Sequence, residues 1–129
     1  KALQISPNDG ETNFYLGYAH QLSGKAADAP KYYKKAVTGL IEFTKSNPDY
    51  SDGFYLLGNA YFSDGQQEKA IEAYRRCLEI SPRFSKARYN LGVIYVFKSD
   101  KKSASEQYNA LLNLDKDLAG KLKSEIDKM

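Results

Sequence analysis

One histidine, His20, and one cysteine, Cys77, are the side chains best equipped to hold a metal or attack a substrate, and each stands alone. A zinc site needs three or four ligands at set spacing. With no second histidine and no acidic partner at ligand spacing, His20 reads as a core residue. Cys77 falls at a small-residue position inside a helix, where a thiol is inert. A single cysteine also excludes an internal disulfide. Gly17, Gly58 and Gly92 each follow a leucine and recur with the chain's internal period, so they serve packing and not a phosphate loop. The side chains point to no catalyst, no metal and no cofactor.

Nineteen Lys plus Arg against sixteen Asp plus Glu leave a net charge of +3, and the two signs interleave. Interleaving argues against a nucleic-acid partner. RNA recognition by helical repeats would need base-reading polar pairs in a basic groove, and Glu11 and Asp52 stand at groove positions. The lysines from Lys98 to Lys128 alternate with acids and read as solvated helix faces. No apolar run reaches membrane-spanning length, so no membrane insertion is expected. The chain begins at Lys1, which leaves the compartment unread; the reading leans to the cytoplasm, with a signal upstream of Lys1 still open.

The elements that position these residues repeat. Leu57-Gly58 followed by Tyr61 returns thirty-four residues later as Leu91-Gly92 and Tyr95, and Ala70 with Tyr74 returns as Ala104 with Tyr108. Leu16-Gly17, Ala29, Tyr33 and Ala36 form an earlier copy at a spacing of forty-one. Pro48 and Pro82 are again thirty-four apart, so seven extra residues fall between Ala36 and Pro48, late in a helix. Ala2 to Pro7 matches Cys77 to Pro82 and reads as the tail of a preceding unit, cut from a longer array. Each unit reads as two helices; in the middle one the breaker Asp64-Gly65 parts them, with Gly58 and Ala70 at the crossing and Tyr61 and Tyr74 filling the space beside it. Leu118, Leu122 and Ile126 give one apolar stripe, as a solvating cap helix requires.

These residues resemble the tetratricopeptide repeat, whose thirty-four-residue unit carries an aromatic, Leu-Gly, Tyr, Ala, an aromatic, a small residue and Pro. Residues 51–84 match throughout, with Phe54, Leu57, Gly58, Tyr61, Ala70, Tyr74, Cys77 and Pro82. The next unit departs at Arg88, Leu111 and Lys116, and the first at Asn13 and His20. The resemblance implies an all-α, right-handed superhelical stack of antiparallel helix hairpins with a C-terminal capping helix. The expected divisions are 1–9 as the truncated tail, 10–50 as a repeat with a lengthened second helix, 51–84 and 85–118 as repeats, and 119–129 as the cap. It also implies that first helices line a concave groove for segments of partner proteins.

Helical phase supplies independent support for that groove. If Leu16 and Gly17 face the core, Phe14, Tyr18, Gln21 and Leu22 point away; the outward positions of the next units are Tyr55, Asn59, Phe62 and Ser63, then Lys86, Tyr89, Val93, Val96 and Phe97, and Asn90 joins them as a groove candidate. Packing against the next hairpin accounts equally well for Tyr55, Tyr89 and Phe62, while Phe14, Tyr18 and Phe97 fit a partner better. The five basic and amide residues with which one branch of the family grips a C-terminal carboxylate are matched only by Lys86. In the inserted turns Leu40, Ile41 and Phe43 offer a second contact surface, unless Tyr50 and Phe54 cover them. The expectation is a non-catalytic scaffold or adaptor for a protein or peptide, with self-association through the extended helix or the truncated N-terminal end left open. The alternative is a docking or regulatory segment of a larger enzyme.

Overall fold

The computed structural model describes residues 29–129, and the segment 1–28 lies outside the described residues, with Phe14, Tyr18, His20, Leu22, the expected 1–9 tail and the first helix of the 10–50 unit. Among the described residues there are six helices and no strand: α1 (Ala29–Ser46), α2 (Ser51–Ser63), α3 (Gln67–Ile80), α4 (Ser85–Phe97), α5 (Lys101–Leu111) and α6 (Lys116–Asp127). Consecutive helices pack against each other along the chain, and α6 also packs on α4. This is the all-α stack of helix hairpins that the repeat implied.

The hairpins close on glycine. A Cβ at Gly58 would lie 2.5 Å from the Tyr74 ring, so only a bare Cα lets α2 and α3 cross where they do. Tyr74 is fully buried there, within a core that runs from Ala70 through Leu91 and Ile94 to Leu122 and Ile126.

The turns after α2 and α4 share one construction. The Gln66 N–H donates to Tyr61 O at 2.9 Å and the Gly65 N–H to Phe62 O at 3.0 Å; thirty-four residues on, Asp100 donates to Tyr95 O at 2.8 Å and Ser99 to Val96 O at 2.9 Å. Both are Schellman stops, which need a residue in the left-handed region. Gly65 supplies it with φ +80°, and Ser99 occupies it with φ +60° despite its Cβ.

The extra residues of the first unit are helical. α1 runs ten residues past Ala36, to Ser46, whereas α3 runs three past the matching Cys77, to Ile80, so all seven inserted residues lengthen the helix and both following linkers stay short. Leu40 is fully buried with Leu57, Ala60 and Ala73. Phe43 is buried too, edge-on to Tyr50 at 5.5 Å and within 3 Å of where a Gly53 Cβ would stand. Of the three residues considered for a second contact surface, Leu40 and Phe43 are therefore inside the chain, and Ile41 alone keeps partial exposure.

The last unit departs from the repeat in a way its residues explain. α2 and α4 begin three residues after Pro48 and Pro82, but Lys116 replaces the third proline and itself opens α6, three residues ahead of the 119 boundary. The Asp115 carboxylate caps this helix by accepting from the Leu118 N–H at 3.0 Å. Arg88, standing where an aromatic is usual, donates to Pro82 O at 3.0 Å and to Gln107 Oε1 at 3.2 Å, so hydrogen bonds replace ring packing.

Candidate functional site

Between α2 and α4 lies an open recess of about 440 Å³, lined by Asn59, Phe62 and Ser63 of α2, Tyr74 of α3, and Tyr89, Asn90 and Val93 of α4. Its position follows from the repeat: α2 and α4 are the first helices of successive hairpins, and each turns the side opposite its Leu-Gly pair toward the same opening.

The floor is a three-way hydrogen-bond junction. The Tyr74 hydroxyl donates to Asn59 Oδ1. Asn90 Nδ2 donates to the same oxygen at 3.0 Å and lies 3.4 Å from the Tyr74 hydroxyl. One carbonyl oxygen thus ties three helices together. Burial pushes the Tyr74 phenol above its ordinary value, so the group stays a neutral donor. The junction uses Asn59 Oδ1 and one face of the Asn90 amide; among the described residues Asn59 Nδ2 and Asn90 Oδ1 have no hydrogen-bond partner. A donor and an acceptor therefore remain beside an apolar wall. Among the described residues no Asp, Glu, Lys or Arg lines the recess.

The expected groove residues that are described stand differently to this opening. Asn59, Phe62, Tyr89, Asn90 and Val93 line it together. Phe97 is 62% exposed and stacks on Phe62 at a centroid distance of 5.8 Å, making a ridge at the end of the recess. Tyr55 instead lies between Phe84 at 4.9 Å and Tyr74 at 6.1 Å, half-buried in hairpin packing. Lys86 is exposed and does not line the recess. Phe14, Tyr18 and Leu22 lie outside the described residues.

One lining residue escaped the sequence reading. Tyr74 was assigned to packing beside Gly58, which it does; its hydroxyl also makes the floor. The available signal was that a buried tyrosine at a helix crossing must find a partner for its O–H. Ser63, an outward position by helical phase, lines the opening from the end of α2.

Reactive groups elsewhere are muted. Cys77 is fully buried, and burial followed by the nearby Asp52 charge pushes its thiol up to about 12. Among the described residues no group of three or more His, Cys, Asp or Glu is placed to hold a metal ion, and no helix is long and apolar enough to cross a membrane.

Two family profiles match the chain, one described as TPR repeat over residues 58–97 and one as tetratricopeptide repeat over residues 85–118. Among curated proteins, a UDP-N-acetylglucosamine–peptide N-acetylglucosaminyltransferase from Giardia intestinalis is 37% identical over 46 residues. That stretch is 36% of this chain and 3% of the transferase, so the chain spans a small fraction of that relative's length. Among solved structures, MamA (41-end) from Desulfovibrio magneticus RS-1 is 26% identical, with a TM-score of 0.63 over 85% of this chain and 77% of that one. The first TPR of Spaghetti (RPAP3), bound to the HSP90 peptide SRMEEVD, superposes with a TM-score of 0.72 at 15% identity, over 98% of this chain and 96% of that one. The Yersinia enterocolitica type III secretion chaperone SycD, in complex with a peptide of the translocator YopD, gives 0.71 at 18% identity, over 97% and 95%. The last two likenesses speak to fold.

Proposed function

Because the chain belongs, over residues 58–118, to the tetratricopeptide-repeat family, we propose that it is a non-catalytic interaction module whose recess between α2 and α4 receives a segment of a partner protein. The observation that carries this reading is the composition of the recess: Phe62, Tyr89 and Val93 offer apolar contact beside an amide pair that keeps hydrogen-bonding capacity. Apolar walls with a few placed polar groups are what a peptide site requires. That the similar RPAP3 and SycD folds were solved with peptides bound supports the class of ligand.

A buried apolar anchor contributes on the order of 1.5–3 kcal/mol, so two or three anchors with the amide contacts suffice for micromolar binding. Tyr55 then acts indirectly, holding Tyr74 and Phe84 in place.

The test is selection of binders from a display library of short random linear peptides, run in parallel on the wild-type chain and on a Tyr89→Ala variant whose thermal unfolding has been checked. A common apolar motif that depends on Tyr89 supports the reading; binding indifferent to Tyr89 sinks it. A second reading, a docking segment within a larger enzyme, draws on the match to a transferase of which this chain spans 3%. Mass spectrometry of the native protein purified from its source organism separates the two, since a catalytic domain on the same polypeptide would be seen directly.

A further inference from the structure

The linkers that open α2 and α4 are the same turn built twice. The Tyr50 N–H donates to Asn47 O at 3.2 Å, and thirty-four residues on the Phe84 N–H donates to Ser81 O at 3.0 Å. Pro48 and Ser51 of the first corner recur as Pro82 and Ser85 of the second, but the charged positions recur with their signs reversed: Asp49 becomes Arg83, and Asp52 becomes Lys86. All four of these side chains are exposed. Among the described residues none of them takes part in an ion pair.

The two corners are neighbours. Ser81 Oγ donates to Ser51 Oγ at 2.9 Å, and Arg76 Nη2 donates to Pro48 O at 3.3 Å, so the end of α3 is tied to the start of α2. Other charges nearby do not blur the contrast. Arg76 is paired with Glu79 at 3.0 Å, Glu42 and Lys45 near the end of α1 are one of each sign, and Arg88, held by Pro82 O and Gln107, adds to the basic side. An acidic corner therefore lies directly against a basic one. The Tyr50 ring, set between the two acids in the chain, is 46% exposed.

We propose that this edge of the stack is a two-fold interface between two copies of the chain. A surface with a negative and a positive patch side by side is its own complement: turned half a revolution about an axis passing between them, each acidic corner meets the other copy's basic corner. Because the two turns lie side by side and are built alike, the same operation sets Asp49 opposite the second copy's Arg83 and Asp52 opposite its Lys86, and the Tyr50 ring is covered between them. Both contacts close at once, so the assembly stops at two copies. A partner of another kind would have to carry the same acid and base pattern at the same spacing, whereas a second copy carries it of necessity. Ion pairs at an exposed edge are weak and are screened by salt, so the dimer forms on concentration and at low ionic strength. None of the four charged residues lines the recess between α2 and α4, so the two surfaces are separate.

Sedimentation velocity of the whole chain over a range of concentrations tests this, at ionic strengths of about 0.01 M and about 1 M, where charges are felt over about 30 Å and about 3 Å. The expected result is a monomer–dimer equilibrium at low salt whose dissociation constant rises about tenfold or more at high salt. Arg83→Asp with Lys86→Asp makes both corners acidic, and Asp49→Arg with Asp52→Lys makes both basic. Each double variant should stay monomeric by itself, and a mixture of the two should recover the dimer, because acidic corners then meet basic ones throughout. Acids in the first turn of α4 suit the helix N-terminus, so the acidic variant should melt no earlier than the wild type, and its mass alone tests the interface if the basic variant fails to fold. A chain that stays monomeric at low salt, a dimer indifferent to salt and to the acidic variant, a mixture of folded variants that remains monomeric, or association that runs beyond two copies would overturn the interface. Tyr89→Ala should leave the equilibrium unchanged; loss of the dimer in that variant would place the second copy in the recess and overturn the edge.

Discussion

Leu122 of α6 stands in the notch that Gly92 leaves in α4: its Cδ2 lies 2.6 Å from where a Gly92 Cβ would be. One repeat earlier the matching notch, at Gly58, is filled by Tyr74 of the same hairpin. In the last hairpin the cap helix takes over that position, and Tyr108, the counterpart of Tyr74, is only half-buried. The cap is thus keyed into the stack by one side chain in one glycine notch. Gly92→Ala should destabilise the chain by about 1–3 kcal/mol, and Leu122→Ala by about 2–4 kcal/mol. Because both act at one contact, the double variant should lose clearly less than the sum. Urea unfolding of the four proteins measures the coupling; strict additivity would mean α6 does not depend on this contact.

Gly58→Ala should cost more than Gly92→Ala. The atoms facing it are Tyr74 Cε1 at 2.5 Å and Cδ1 at 2.6 Å, part of a rigid ring that is fully buried and hydrogen-bonded through its hydroxyl. Leu122 can turn its branched end; Tyr74 cannot retreat without breaking the floor of the recess. Urea midpoints order the two variants directly, and a smaller loss for Gly58→Ala would contradict the ring's being held.

Ser99→Gly is expected to stabilise the chain by about 1 kcal/mol, the cost of holding an L side chain in the left-handed region. Ser99 has φ +60° where the preceding repeat uses Gly65 at φ +80°. The reciprocal change, Gly65→Ala, should destabilise by a similar amount, and a Cβ there meets nothing within 4 Å, so the effect is conformational and not steric. A pair of thermal melts checks the opposite signs.

Much of the stack was legible because the signal was periodic. Leucine, glycine and tyrosine recurring at thirty-four residues required the same hairpin each time, and the helices fall where that period puts them. Where a period cannot speak, the sequence was less informative. Lys116 at the proline position let α6 start early, and only an Asp115 whose side chain accepts from Leu118 reveals the new boundary. Helical phase found Asn59, Phe62, Ser63, Tyr89 and Val93, since a residue's face on a helix is set by its number. It grouped Tyr55 with them because phase says nothing of which neighbour reaches the face first, and Phe84 does. For Leu40 and Phe43 the sequence offered both an open surface and cover by Tyr50 and Phe54; Tyr50 does meet Phe43, while Leu40 is covered by Leu57, Ala60 and Ala73, which periodicity did not single out as its cover.

Alkaline pH should weaken the fold through two buried acids. The Tyr74 phenol is raised by desolvation, and the Cys77 thiol is pushed up to about 12 by burial and by Asp52. Both bind their protons more tightly folded than unfolded. Their contribution is therefore complete below the ordinary thiol and phenol values, about 8.5 and 10, and declines as pH climbs above them. Tyr74→Phe should flatten the upper part of that decline while costing about 1 kcal/mol at neutral pH through the lost hydroxyl bond. Native Cys77 should resist alkylation by iodoacetamide until denaturant is added; labelling of the folded chain at the rate of a free thiol would contradict its burial.

Phe97 separates binding from stability most cleanly. It is 62% exposed, outside the buried core, and its defined aromatic contact is the stacked face of Phe62. Removing a ring that remains largely in water forfeits little on folding, so Phe97→Ala should shift stability by no more than about 0.5 kcal/mol. If a ligand covers the ridge, the same ring becomes buried only in the complex, and its loss then appears wholly in affinity, as a weakening of about tenfold or more. Tyr55→Ala should behave in the opposite way, destabilising the chain through Tyr74 and Phe84 and affecting binding chiefly through that damage. Measuring melting temperature and peptide affinity for both variants places each residue on one axis or the other. A Phe97→Ala protein that melts early yet binds normally would place this ring in the fold and move the ligand off the α2–α4 ridge.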